Sequence, residues 1–164
     1  MGVKSITTLL LLGLAVLSFV SKGMAQAEDI AVAADIAVVV SSSNPATTLS
    51  LGDLRKIFAG VKRSWPGGLP IKLVTRGAGC PERVALLKLL AMSEGEYKQY
   101  WTSQVFRGEA DAEPLIVPSV GIQKEALNLF PGAISLVSVR DVKPGMKVIK
   151  IDGQMPGAAG YPLR

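Results

Sequence analysis

The chain contains no histidine and a single cysteine. Without histidine, a Ser-His-Asp or Cys-His catalytic set cannot be assembled. Cys80 stands alone, which excludes a zinc centre of the Cys/His type and a disulfide within the chain. Aromatic residues are also sparse at 5%, and long basic stripes are absent. The cations come singly or in pairs, such as Arg55-Lys56 and Lys62-Arg63, without the basic–aromatic interleaving of a nucleic-acid surface. Charged residues make up only 19% of the 164 residues, and mean hydropathy is high at +0.37. Such a length favours one domain.

The high hydropathy is concentrated at the start. Lys4 precedes an apolar run from Ile6 to Val20, followed by the small-residue pattern Ala25-Gln26-Ala27. A positive n-region, an apolar h-region and an A-x-A site predict a signal peptide over residues 1–27, cut before Glu28, and hence a periplasmic or secreted domain of residues 28–164. The alternative is an uncleaved anchor. It would rest on roughly 15 residues that include Thr7, Thr8 and Ser18, short of the ~20 needed to span a bilayer. No cysteine sits at the processing site, so lipid attachment there is excluded. The signal takes Lys4 and Lys22 out of the 18 basic residues, leaving the mature chain a mild net charge of +3 against 13 acids. That charge suits an anionic ligand and predicts no nucleic-acid partner.

Beyond the leader, short apolar runs alternate with helical spacing. Ile36 to Val40 is continuously apolar and predicts a strand covered on both faces, as in a parallel sheet. Ser50 and Asp53 resemble a capping box ahead of Leu51, Leu54, Ile57 and Phe58, with Gly60 as the stop. A loop with Trp65-Pro66-Gly67-Gly68 leads to a strand over Ile71 to Thr75. Pro81 suits the first position of a helix reaching Met92, which is apolar on most sides and predicts heavy burial of Val84, Leu86, Leu87, Leu89 and Leu90. Ser93 and Glu96 form a second capping box before a helix whose Tyr97, Tyr100 and Trp101 read as core. A strand over Leu115 to Val117, a helix from Ser119 with Ile122, Ala126, Leu127 and Phe130 inward, and strands over Ile134 to Val139 and Met146 to Ile151 complete the pattern. The alternation predicts one α/β domain with a mainly parallel sheet flanked by helices.

Chemistry concentrates at the turn Arg76-Gly77-Ala78-Gly79-Cys80. A helix start after a parallel strand offers unpaired N–H groups and the positive end of the helix dipole to an oxyanion, with Arg76 able to add a bidentate fork. The alternative is a tight glycine turn with a solvated arginine. Gly77-Ala78-Gly79 begins a dinucleotide fingerprint, but Glu82 stands at the third glycine position, and no Gly-Lys-Ser/Thr sequence is present. Glu109, Asp111 and Glu113 lack the glycine and distant glutamate of a calcium loop. No nucleophile–base pair stands in a recognisable motif, which predicts a non-enzyme needing no cofactor.

One family resemblance links these pieces. Asn44-Pro45, Leu51-x-x-Leu54-x-x-Ile57-Phe58-Ala59-Gly60, Trp65-x-Gly67-Gly68, Arg76, Trp101 with Phe106-x-Gly108, Pro131-Gly132-Ala133-Ile134, Ile151-Asp152-Gly153 and Tyr161-Pro162-Leu163 together resemble the phosphate-binding proteins of bacterial phosphate ABC transporters. The likeness runs over roughly residues 36–164. It implies a periplasmic-binding-protein fold of two lobes with ligand between them, of which this chain is long enough for one. It also implies phosphate or another small oxyanion as ligand, with Arg76, Gly79 and Cys80 as its site, and a membrane transporter or sensor protein as partner. In the family pattern Ser-Gly-Thr opens the helix after the arginine; here Cys80, Pro81 and Glu82 stand in those places. A thiol is a weaker donor than a hydroxyl, proline has no N–H, and Glu82 brings a carboxylate to the helix N-terminus where an anion would sit. Two functions follow as expectations: weak oxyanion handling, or a lobe kept for docking after losing its ligand.

Overall fold

The computed structural model describes residues 35–164, so the leader predicted over residues 1–27 lies outside the described residues. The order of elements is β1 Ile36–Ser41, β2 Thr48–Leu49, α1 Leu51–Phe58, β3 Lys72–Arg76, α2 Pro81–Leu90, α3 Glu94–Phe106, β4 Leu115–Val117, α4 Val120–Leu129, β5 Ala133–Ser138, β6 Met146–Val148 and β7 Lys150–Ile151. Five strands form one sheet in the order β4-β3-β5-β1-β6, and β2 pairs with β7 in parallel beside it.

Strand alternation divides the core into two layers. Ile36, Val38 and Val40 of β1, with Ile134 and Leu136 of β5, face a cluster built on α1, α2 and α3. Ala37 and Val39, with Ala133 and Val137, face a cluster built on α4. Every residue of β1 and β5 is buried, because helices cover both faces of a period-two strand. Each fully buried Val, Ile or Leu stabilises the fold by roughly 1.5–3 kcal/mol relative to exposure.

The mainly parallel sheet is present, with one correction at β1. β3 runs parallel to β4 and to β5, whereas β1 runs antiparallel to both β5 and β6. Four strands thus share one direction, and the strand read as belonging to a parallel sheet is the reversed one. Burial on both faces produces a continuous apolar run whichever way the neighbours point.

Local chemistry explains most boundaries. The Ser93–Glu96 capping box is complete, with both reciprocal bonds made. The box at Ser50 is one-sided: Ser50 Oγ accepts from Asp53 N at 3.0 Å, but the Asp53 carboxylate pairs with Lys62, and Asp152 Oδ1 accepts the Leu51 N–H at 3.1 Å. Helix α2 stops at Leu90, because Ala91 turns left-handed with φ 53°. Its buried side chains include Glu82 and Arg83, while Val84 is 59% exposed. On α4, Ile122 is exposed and Gln123 is fully buried, donating to Leu136 O at 2.8 Å. A polar side chain that finds partners displaced the apolar one expected inside. The predicted strand from Met146 breaks at Ile149, whose N–H donates to Val38 O, so that β6 and β7 join different sheets.

Candidate functional site

The sheet order creates a crevice at one edge. The chain leaves β3 through α2 and α3 to reach β4 on one side, then returns through α4 to β5 on the other side of β3. Between the carboxyl ends of β3 and β5 the winding reverses, and ligands of open α/β sheets bind at such a point. Arg76 ends β3, and Ser138 ends β5. The first turn of α2 lies over the gap.

The three predicted site residues come together only in part. Arg76 is half-buried, and its Nη2 donates to Cys80 Sγ at 3.6 Å. Cys80 is the N-cap of α2, but its thiol makes no capping hydrogen bond. Gly79 adopts φ +84°, which glycine tolerates and other residues rarely do, and it is exposed. Arg83 and Val84 donate their N–H groups to Cys80 O, and Pro81 has none to offer. The helix start therefore presents fewer free donors than an oxyanion cradle of this kind usually does.

Glu82 takes the crevice itself. It is 4% exposed, and its Oε1 accepts the Ser138 backbone N–H at 3.2 Å. Its carboxyl group thus lies between the α2 N-terminus and the end of β5, where a bound anion would be expected. Phe58, Val74, Leu86 and Leu136 pack around it with Thr75 and Arg76, leaving no volume for a water molecule. Two donors in this setting have no partner: Thr75 Oγ1 and Arg76 Nε are buried without a hydrogen bond. Thr75 and Ser138 did not stand out in the sequence, because each closes an apolar run and reads as its polar end.

Several of the remaining resemblance motifs serve the fold, although Phe106 is 91% exposed. Trp65 Nε1 donates to Gly132 O at 3.0 Å, Lys72 N donates to the same oxygen, and Asn44 Nδ2 donates to Pro131 O. Gly132 is obligatory there, since a Cβ would lie 1.8 Å from Pro70 O. Trp65 is 2% exposed and is a core residue. A Cβ on Gly60 would press against the Trp101 ring at 2.7 Å. Tyr161 Oη donates to Ile36 O, and Ile36 N donates to Leu163 O, so the closing motif holds the first strand. Burial pushes the Tyr161 phenol up to about 12, which keeps it a neutral donor.

A family model described as a PBP superfamily domain matches residues 19–155. The chain belongs to the PBP superfamily. Among solved structures, this PBP chain is similar to an ABC-type phosphate transport receptor from Vibrio cholerae, with 25% identity and a TM-score of 0.60 over 74% of this chain and 48% of that one. It shares the fold of PstS from Borrelia burgdorferi, at 15% identity and a TM-score of 0.56 over 74% of this chain and 49% of the other. The PBP chain thus spans about half the length of the structures it matches. No curated protein matches it. The Vibrio cholerae protein is named as a transport receptor, and neither of the two is named as an enzyme. Among the described residues, no helix is long and apolar enough to cross a membrane, and no cluster of three or more His, Cys, Asp or Glu could hold a metal ion.

Proposed function

We propose that this protein is an exported solute-binding lobe of the phosphate-transport type, which takes phosphate or a similar small oxyanion weakly and works beside a membrane transporter. The observation that carries this reading is the pair of buried donors without partners, Thr75 Oγ1 and Arg76 Nε, at the carboxyl edge of β3. Donors buried in this way cost free energy unless an acceptor meets them, and an oxyanion supplies several acceptors at once. Binding is weak because Glu82 competes. An incoming anion must displace a carboxyl group already held by Ser138 N–H.

The Glu82 contact also favours a second reading, in which the lobe is a docking module for a transporter or sensor. Here the protein's own carboxyl group fills the anion place permanently and keeps the crevice shut. Calorimetric titration of the protein with phosphate separates the two. Heat that saturates below about 1 mM phosphate and vanishes in Arg76→Ala supports oxyanion handling. Absence of heat and of a thermal shift at about 10 mM phosphate removes it and leaves docking.

A further inference from the structure

The chain carries the sequence of its first strand twice. Asp35-Ile36-Ala37-Val38-Val39-Val40 leads into and forms most of β1. The residues directly before it read Asp29-Ile30-Ala31-Val32-Ala33-Ala34. Asp, Ile, Ala and Val open both blocks in the same order, and the remaining two positions differ only as alanine for valine. The earlier block precedes the described residues.

The spacing of the two blocks matters as much as their likeness. Side chains of a strand alternate between faces, so a slip by one residue turns each of them to the wrong layer. The blocks are six residues apart, and a slip by six turns none. With the earlier block in the β1 slot, Ile30 and Val32 stand where Ile36 and Val38 face the α1–α2–α3 layer, and Ala31 stands where Ala37 faces the α4 layer. The leading aspartate is duplicated as well. Asp35 accepts the Gly157 N–H and pairs with Arg164 at 3.7 Å, and Asp29 brings the same carboxylate to those partners. Pairing with β5 and β6 uses main-chain groups, and neither block contains the proline that would interrupt it. Three positions favour the observed register. Val39 and Val40 are fully buried, and Ala33 and Ala34 would underfill their places. Ser41 is 2% exposed, and a slip brings the Asp35 carboxylate into its place. The slipped register is a minor state.

We propose that β1 is a register switch, in which residues 29–34 and 35–40 compete for one slot in the sheet. A slip by six residues converts chain ahead of the sheet into loop behind β1. The slipped form draws the N-terminal side in by about 20 Å, at ~3.3 Å per residue of strand. It lengthens the connection from β1 to β2, where Asn44 Nδ2 donates to Pro131 O and Asn44 Oδ1 accepts the Ala46 N–H. A pull on the N-terminus favours the observed register, and a partner that takes up the longer connection favours the slipped one. The switch depends neither on Arg76 nor on an oxyanion.

Thiol labelling reads the switch. In a Cys80→Ser background, Val38→Cys puts the sole thiol in the buried middle of β1, where iodoacetamide reaches it only when residue 38 leaves the slot. Ala33→Val with Ala34→Val makes the two blocks identical and is expected to raise the labelling rate at least about tenfold. Adding Val32→Asp to that pair puts a carboxylate into the earlier block alone and is expected to return the rate to its starting level. Val32→Asp by itself is expected to lower the starting rate by about threefold or more, with an unchanged urea midpoint, since it alters no contact of the observed β1. Should Val38→Cys fail to fold, hydrogen exchange of the β1 amides gives the same comparison without a core substitution. A rate that the valine pair does not raise overturns the proposal. So does a rise that Val32→Asp leaves in place, or a starting rate that Val32→Asp does not lower: β1 then opens only when the whole domain unfolds.

Discussion

Glu82 and Arg83 are neighbours in the first turn of α2, yet they face two hollows that solve the same problem in opposite ways. At the crevice, a carboxyl group of the chain meets a backbone N–H, and apolar side chains close around it until no water fits. Beside the cavity between α2, α3 and β4, Arg83 is held by two bonds to Glu94 and by the Tyr97 ring, and about 400 Å³ remains open next to them. The place where family likeness points to a ligand is the filled one, and the place without such a precedent is the open one. Adjacent residues of one helix thus bury opposite charges, one against a backbone N–H and the other against a carboxylate and an aromatic ring.

The difference can be broken most forcefully by testing whether the crevice is packed. Leu136→Ala removes a buried wall of the crevice, and urea unfolding is expected to show a loss of about 2–5 kcal/mol. A loss below about 1 kcal/mol would mean that the crevice is loosely filled after all. Next in size is Glu82→Gln, which keeps an amide oxygen for Ser138 N–H but removes the negative charge. Phosphate affinity is expected to rise about tenfold, or ~1.4 kcal/mol, by calorimetry. No change would place the obstacle at Pro81, which has no N–H to offer.

The cavity side gives smaller effects. Hydrogen bonding from Arg83 holds the Glu94 carboxyl below its ordinary value of 4.5. A carboxyl with a lowered folded-state pKa adds stability above its unfolded value, and that stability is lost as pH falls through the folded value. Melting temperatures of the wild type and Glu94→Gln should therefore differ near neutrality and converge in acid, by an amount worth at most about 1 kcal/mol for so exposed a carboxylate. Curves that stay parallel down to low pH would show that the bond does not contribute through its charge. Smallest of all, Thr102→Ala should change stability by no more than about 0.5 kcal/mol, consistent with a rim held by one exposed bond.

Much of this was readable from residue patterns, and the exceptions have physical causes. Apolar runs, Pro81 and the Ser93–Glu96 box located the elements, since those signals are local. Arg76, Gly79 and Cys80 were placed at the turn because a strand–glycine–helix step has a known backbone geometry. The direction of β1 was not readable, as its partners lie far along the chain. The buried face of α2 was hidden because a helix apolar on most sides has no stripe to follow. Arg83 then took an inward position that Glu94, eleven residues on, and the Tyr97 ring make tolerable. Pairing across a helix–helix turn leaves no periodic trace.

The position of β1 also sets an order of events. Ile36 pairs with Ser138 and Ser41 with Met146, so the strand at the centre of both core layers waits about a hundred residues for its neighbours. Tyr161 and Leu163, which tie down its first residue, come later still. Until then five apolar residues are an unpaired strand on a growing chain, open to pairing with the wrong edge. Contacts so distant in sequence slow folding, because loop closure precedes any gain from burial. The first strand made is thus the last to be secured, and the finished fold depends on its closing residues being present.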